Sequence, residues 1–395
     1  MSGVENGGYG PTPRAAAAPV SASIYSEISQ LAAHLGAVNL GQGFPEESGP
    51  ASMLEAACTQ IRSGANQYPP TLGLPALREA VASHQATWYN VELDPADQIV
   101  VTAGASEAIS ASLLALLEPG DEVLIFEPFY DLYPAAVRLA RGVPLFVPWD
   151  SGTHLPDLSA AAAAVSSRTK VMIINTPGNP SGQVWDGSLL DQVTQFAVEH
   201  DLVVVSDEVY EHIVFDGRRH RCVATYPGMA ERTLTVSSAG KSFSVTGWKV
   251  GWVSGPSRLV ERVHQVKQYL SFASATPFQF AVAGALGMDR GYFDALADSY
   301  QQRRDLLVSG LRECGFTTHT PVGGYFVLAD CAPLGYRDAR EFCRIAPIRL
   351  GVAGIPADLY FDQPGRNTLV RFTFAKSAHT LLTGIARMRK GASDG

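Results

Sequence analysis

Charge is sparse in this sequence of 395 residues: only 17% are Asp, Glu, Lys or Arg, and the net charge is −8. No basic run stands out, which argues against a nucleic-acid partner. Cysteine is also scarce. Cys58, Cys222, Cys314, Cys331 and Cys343 are scattered, odd in number and without a CxxC pair. They read as free thiols buried in a reducing cytosol, so a cytoplasmic location is expected. No uninterrupted apolar run approaches membrane-spanning length, and no membrane association is expected. Residues 1–20, rich in Gly, Ala and Pro, lack the basic start and apolar segment of a signal peptide. They read as a flexible tail, as do residues 391–395. There is no repeat period. A nicotinamide dinucleotide site is excluded because no strand–GxGxxG–helix unit exists; Asn39–Pro45 starts like one, but position 46 is Glu. No metal is expected.

What is present is a hydrophobic content of 46%, ordinary for a globular enzyme of one large domain or two closely associated ones. From residue 98 onward, apolar strands alternate with helical patterns: Gln98–Ala103, Glu122–Phe126, Lys170–Asn175, Leu202–Ser206, Thr233–Ser237 and Val250–Ser254 read as strands. Such alternation implies a mostly parallel, helix-flanked sheet. Thr320–Asp330 and Leu369–Phe374 read as strands of a second sheet.

The loops between these elements carry the candidate chemistry. Lys241 lies among small residues in Ser237–Ser244 and is read as a loop residue off a strand end, a setting that suits a desolvated nucleophilic amine. Gly104-Ala105-Ser106 opens a helix after a strand; it reads either as an anion-binding helix start or as a tight turn capped by Ser106. Asp207 follows an apolar strand directly, so it either caps a turn or holds a cation. Asn175–Gly182 forms a rigid loop at a strand's carboxyl end, the ligand-facing edge of an α/β sheet. Arg371, mid-strand, either faces water or clamps a carboxylate.

In this order, the phrases Asn39–Pro45, Asn66-Gln67-Tyr68, Asn179-Pro180-Ser181-Gly182, Ser206–Tyr210, Gly240–Phe243 and Thr246–Gly251 resemble the class I/II aminotransferase family of fold-type-I pyridoxal-phosphate enzymes, in its kynurenine/methionine aminotransferase branch. The resemblance runs from about residue 21 to about residue 390. It implies an α/β large domain (66–285) with a mostly parallel seven-stranded sheet, and a smaller α+β domain built from 21–65 and 286–395. It further implies transfer of an amino group from an L-amino acid to a 2-oxo acid.

Lys241 would form the Schiff base with the cofactor and shuttle the substrate Cα proton; Asp207 would face the pyridine nitrogen. Tyr210 and Asn179 would bond the ring's phenolic oxygen, and Tyr130, or else Phe129, would stack on the ring. Ser238, Lys249 and the Gly104-Ala105-Ser106 helix start would hold the phosphate, helped by Tyr68 from the neighbouring subunit of a homodimer. Arg371 would grip the substrate α-carboxylate, with Asn175, Gly43 and Tyr25 near the substrate.

The chain departs from the branch at Gly178, Ser181 and Gly323-Gly324-Tyr325-Phe326, and its segment between Phe342 and Gly354 looks compressed. Gly178 suggests a wider substrate pocket. No second arginine is evident for a distal carboxylate, which favours an uncharged or aromatic substrate side chain. The alternative reaction is elimination, replacement or cyclisation on the same cofactor, including on adenosylmethionine-type substrates. A transcription regulator of the same architecture is disfavoured, since only about twenty residues precede the resemblance.

Overall fold

A computed structural model describes residues 24–150, 155–362 and 368–393. The two tails read as flexible fall, wholly for residues 1–20 and in part for 391–395, outside the described residues.

The described residues start with helix α1 (Ile24–Leu35) and a short strand β1 (Val38–Asn39), followed by α2 (Ala51–Arg62) and α3 (Pro75–Tyr89). The central sheet then builds up from β2 (Ile99–Thr102), β3 (Glu122–Phe126), β4 (Val143–Val147), β5 (Thr169–Asn175), β6 (Val203–Asp207), β7 (Thr233–Ser238) and β8 (Gly251–Ser254). Helices α4 (Ala105–Leu116), α5 (Leu132–Leu139), α6 (Leu158–Ala164) and α7 (Gly187–Glu199) connect the strands, and a single turn, α8 (Ala239–Ser242), follows β7. The strand order is β2-β8-β7-β6-β5-β3-β4. All neighbours are parallel except β8, which runs antiparallel to both β2 and β7. Strands β2 and β3 are buried at every position, as expected of strands covered by helices on both faces.

After β8 come α9 (Ser257–Leu270), α10 (Thr276–Leu286) and the long α11 (Arg290–Glu313). A second sheet uses β9 (Thr317–Thr318), β10 (Phe326–Asp330), β12 (Ile355–Pro356) and β13 (Leu369–Thr373) in the antiparallel order β12-β13-β10-β9; between its strands lie α12 (Ala339–Arg349) and β11 (Val352–Ala353). The strand expected over Thr320–Asp330 starts only at Phe326, because Gly324 adopts φ +67°, a left-handed turn incompatible with extended backbone. Helix α13 (Ala378–Ser393) closes the described chain. All five cysteines are free, and all but Cys58 are buried.

Both ends of the chain meet here. β1 pairs in parallel with β11 (Val38 with Val352), and Ile24, Ile28 and Ala32 of α1 share a core with Phe342, Phe372 and Ile385. Met53 and Ala57 of α2 instead pack with Leu77 of α3 and Ala281 of α10, against the central sheet's Val101 and Trp252. No helix among the described residues is long and apolar enough to cross a membrane.

Helix α11 lies against α13 at Gly310, where an added Cβ would sit 2.5 Å from Ile385 side-chain carbons. Gly310→Val overpacks that contact and should cost about 1–3 kcal/mol, against only a small gain in helix propensity. Calorimetry should show a lower unfolding midpoint; an unchanged midpoint would mean that the two helices are not held at this spacing.

Candidate active site

The parallel strands end side by side, and their carboxyl ends deliver the polar groups. Asn175 and Asp207 are register partners as the last residues of β5 and β6. Asp207 is only 4% exposed. It accepts hydrogen bonds from the Tyr133 hydroxyl (2.7 Å) and the Val209 N–H (3.3 Å). Burial pushes its pKa up to about 6, even though the Tyr133 bond opposes the rise. Asn175 Nδ2 donates to the Asp207 carbonyl (3.0 Å), and its Oδ1 accepts the Asn179 N–H (2.8 Å), fixing the following loop to the sheet.

Lys241 does not sit in a loop. Ser238 Oγ accepts the Gly240 N–H at 3.0 Å and caps the turn α8, which places Lys241 on a helical turn. Its Nζ donates to the Tyr325 hydroxyl (2.7 Å), which in turn donates to the Gly43 carbonyl (2.7 Å). The ammonium also lies 5.6 Å from the Tyr210 ring centroid. Tyr210 is buried, and desolvation together with Tyr325 raises its pKa well above the ordinary value.

Gly104, not Ser106, occupies the cap position of α4, with φ +77° and no side-chain cap bond. The first N–H groups of a helix lack intrahelical partners. Lys249, left-handed at φ 54° just before β8, brings its Nζ to 3.0 Å from where a Gly104 Cβ would be. Backbone donors, a helix dipole and a cation thus converge, the requirement for binding a phosphate dianion.

Arg371 does not face water. It is 3% exposed on β13, donating through Nη1 to Asn179 Oδ1 (3.2 Å) and through Nη2 to the Gly41 carbonyl (3.1 Å). Among the described residues its buried Nε has no partner and it forms no salt bridge. The Phe326, Tyr360 and Tyr25 rings lie 4.1, 5.0 and 5.5 Å from its guanidinium carbon. A buried cation with an orphaned donor suits an incoming carboxylate.

Asp207, Lys241, Tyr210, Gly104, Lys249 and Arg371 all face one cavity of about 470 Å³. Apart from Phe129, the alternative to Tyr130, every candidate residue lines it except Tyr68, which is 81% exposed and set edge-on to Phe272. Phe129 is absent as well; it is buried in a stack on Phe146, which leaves Tyr130 as the aromatic facing the cavity. Gly178 lies outside too. It lines a separate space of about 30 Å³ with Ser181, so the bulk it lacks is not added to the main cavity.

Sequence reasoning gave no role to Tyr133, Asp131 or Tyr325. Tyr133, in the first turn of α5, stands three residues after Tyr130, and its N–H bonds the Tyr130 carbonyl (2.9 Å), a turn spacing that could have flagged it. Asp131, whose carboxyl burial pushes up, lies beside Tyr25 and Arg371.

Together these features fit pyridoxal phosphate: a dry carboxylate for the ring nitrogen, an amine within the cavity, an anion cradle at α4 and an aromatic wall.

Three comparisons bear on the same point. The aminotransferase class I and II family model matches residues 36–385. The probable N-succinyldiaminopimelate aminotransferase of Mycobacterium tuberculosis is 47% identical over 94% of this chain and 96% of that protein; its solved structure superposes with a TM-score of 0.92, covering 94% of this chain and 98% of that one. The methionine aminotransferase of Escherichia coli is 39% identical over 93% of this chain and 95% of that protein.

The raised Asp207 pKa predicts how the cofactor-free protein responds to pH. Its folded value of about 6 exceeds the ordinary 3.8, so the folded state binds the extra proton between them. Stability from this group is full below pH 3.8 and is lost as pH rises through about 6, a swing on the order of 3 kcal/mol. In chemical denaturation across that range, cofactor-free Asp207→Asn should lack this loss and be the more stable protein above pH 6. Parallel pH curves for the two proteins would refute the assignment.

Proposed function

The chain belongs to the aminotransferase class I and II family, and from that premise we propose a division of labour among its site residues. The protein is a pyridoxal-phosphate-dependent aminotransferase acting on amino acids and 2-oxo acids. The comparisons lend no support to elimination, replacement or cyclisation.

The observation that carries the proposal is convergence. Lys241 after β7, Asp207 at the end of β6 and Arg371 on the second sheet all reach one cavity. When bound, pyridoxal phosphate accepts the substrate's amine and draws electron density from Cα through its protonated ring. Asp207 would keep that ring nitrogen protonated, because a buried carboxylate favours a cation beside it. Asn179 and Tyr210 would donate to the ring's phenolic oxygen. Ser238, Lys249 and residues 104–106 would hold the phosphate. Lys241 would hold the cofactor through its amine. Its Nζ would then be the base that shuttles the substrate's Cα proton to the cofactor, with Tyr325 fixing where that amine rests. Arg371 would orient the α-carboxylate by a two-pronged contact.

Arg371 is the only guanidinium among the described residues of the cavity, and Asp131 adds a carboxyl beside it. With Tyr25, Phe44, Tyr130 and Phe326 in the wall, this favours substrates with uncharged or aromatic side chains.

Absorbance spectra test the reading. The wild-type protein should carry a cofactor band that single amino acids convert and a 2-oxo acid restores. Lys241→Ala should lose the lysine-linked band, and Arg371→Ala should raise the amino acid concentration needed by at least about tenfold, the loss of one charge-assisted contact. Full conversion by Lys241→Ala at wild-type rate would overturn the assignment.

A homodimer with the site at its interface accounts for Tyr68. Tyr68 and Tyr269 are 81% and 85% exposed, and Phe272 is 48% exposed beside Tyr68, an apolar surface suited to a second copy. Tyr68→Ala should weaken phosphate retention, measured by cofactor loss on dialysis, and sedimentation should give twice the chain mass for the wild type. A monomer with full cofactor affinity would refute it. We propose a cytoplasmic location, a reading that the free cysteines support.

A further inference from the structure

A second cluster of chemistry lies outside the cavity. One residue after Tyr210, Glu211 and His212 meet His84 of α3, and all three side chains are buried. The two imidazoles face each other through Nε2, 2.8 Å apart. One ligand atom from each residue, including a Glu211 carboxylate oxygen, lies within 4.8 Å of the others.

We propose that His84, Glu211 and His212 form a binding site for a divalent cation of the zinc class. Two imidazoles and one carboxylate are a donor set that zinc takes, with bonds of about 2.0–2.2 Å, leaving one position for water. Those bonds put tetrahedral donors roughly 3.3 Å apart, so the imidazoles need only part slightly and the carboxylate draw inward. The surroundings support the set. Ser237 Oγ donates to Glu211 Oε1 (2.5 Å), fixing the carboxylate, while Oε2 has a long contact of 3.5 Å from Gln85 Nε2 and the Tyr89 hydroxyl also faces the carboxylate. Such outer partners orient ligands. Phe293 stacks on the His212 ring at 4.0 Å and supplies an apolar wall. A surface groove of about 610 Å³ beside Tyr89 and His220 comes close, since the Tyr89 ring centroid is 6.0 Å from His84 and 6.4 Å from His212. The cation would tie α3 to the segment that carries Asp207 and Tyr210.

The test uses the holoenzyme, treated with chelator, re-equilibrated with Zn²⁺ or Co²⁺ and dialysed. The wild type should retain about one metal per chain. With Co²⁺ it should show visible d–d bands without thiolate charge transfer. His84→Gln and Glu211→Gln should fall to about zero metal while keeping the wild-type cofactor band. Retention no higher in the wild type than in the variants, or equal in all three, overturns the site. If either variant fails to fold, the wild-type Co²⁺ spectrum decides: absent d–d bands, or thiolate bands, also overturn it.

Discussion

A carboxylate kept dry at the end of the central strand governs the site. Asp207 could gain solvation by turning outward, yet Tyr133 and the Val209 N–H hold it inside, where its charge is unfavourable until a cation arrives. The neighbouring strand reinforces this: Asn175 bonds the Asp207 carbonyl and the Asn179 N–H together. The sheet therefore fixes the aspartate and the loop facing it as one unit. In the proposed role, the cost of keeping that charge dry would become affinity for a protonated ring.

The opposite wall is built on the second sheet. Arg371, Tyr325 and Lys376 each reach a carbonyl of the Gly41–Phe44 loop, respectively Gly41, Gly43 and Phe44. Phe326 fills the space where a Gly43 side chain would lie, at 2.1 Å from the ring. Glycine at 43 is thus a packing requirement: backbone and aromatic ring approach too closely for a Cβ.

Most of this was legible in sequence because residues at strand ends announce themselves locally. An apolar run ending in Asp207, or a glycine opening a helix at 104, carries its own signal. What stayed hidden depends on contacts distant along the chain. Whether Arg371 faced water could not be read from a period-two pattern, since both faces of β13 are buried. The turn carrying Lys241 is too short for periodicity and rests on one Ser238 bond. Tyr325 meets Lys241 across 84 positions, and His84 meets His212 across 128, so no spacing rule could pair them. The reading of Gly178 as added pocket volume failed for the same reason: which cavity a loop residue borders is settled only by the packing of other elements.

The antiparallel strand β8 carries a consequence for the order in which the protein becomes competent. The anion cradle needs Gly104 and Lys249 together, and β8 is what brings them there by pairing with β2. A chain growing on the ribosome has therefore made Gly104, Asp207, Lys241 and Lys249 once β8 has emerged. Arg371 is made more than a hundred residues later. On the proposed roles, every group that would keep the cofactor is translated before the arginine that would grip the substrate carboxylate.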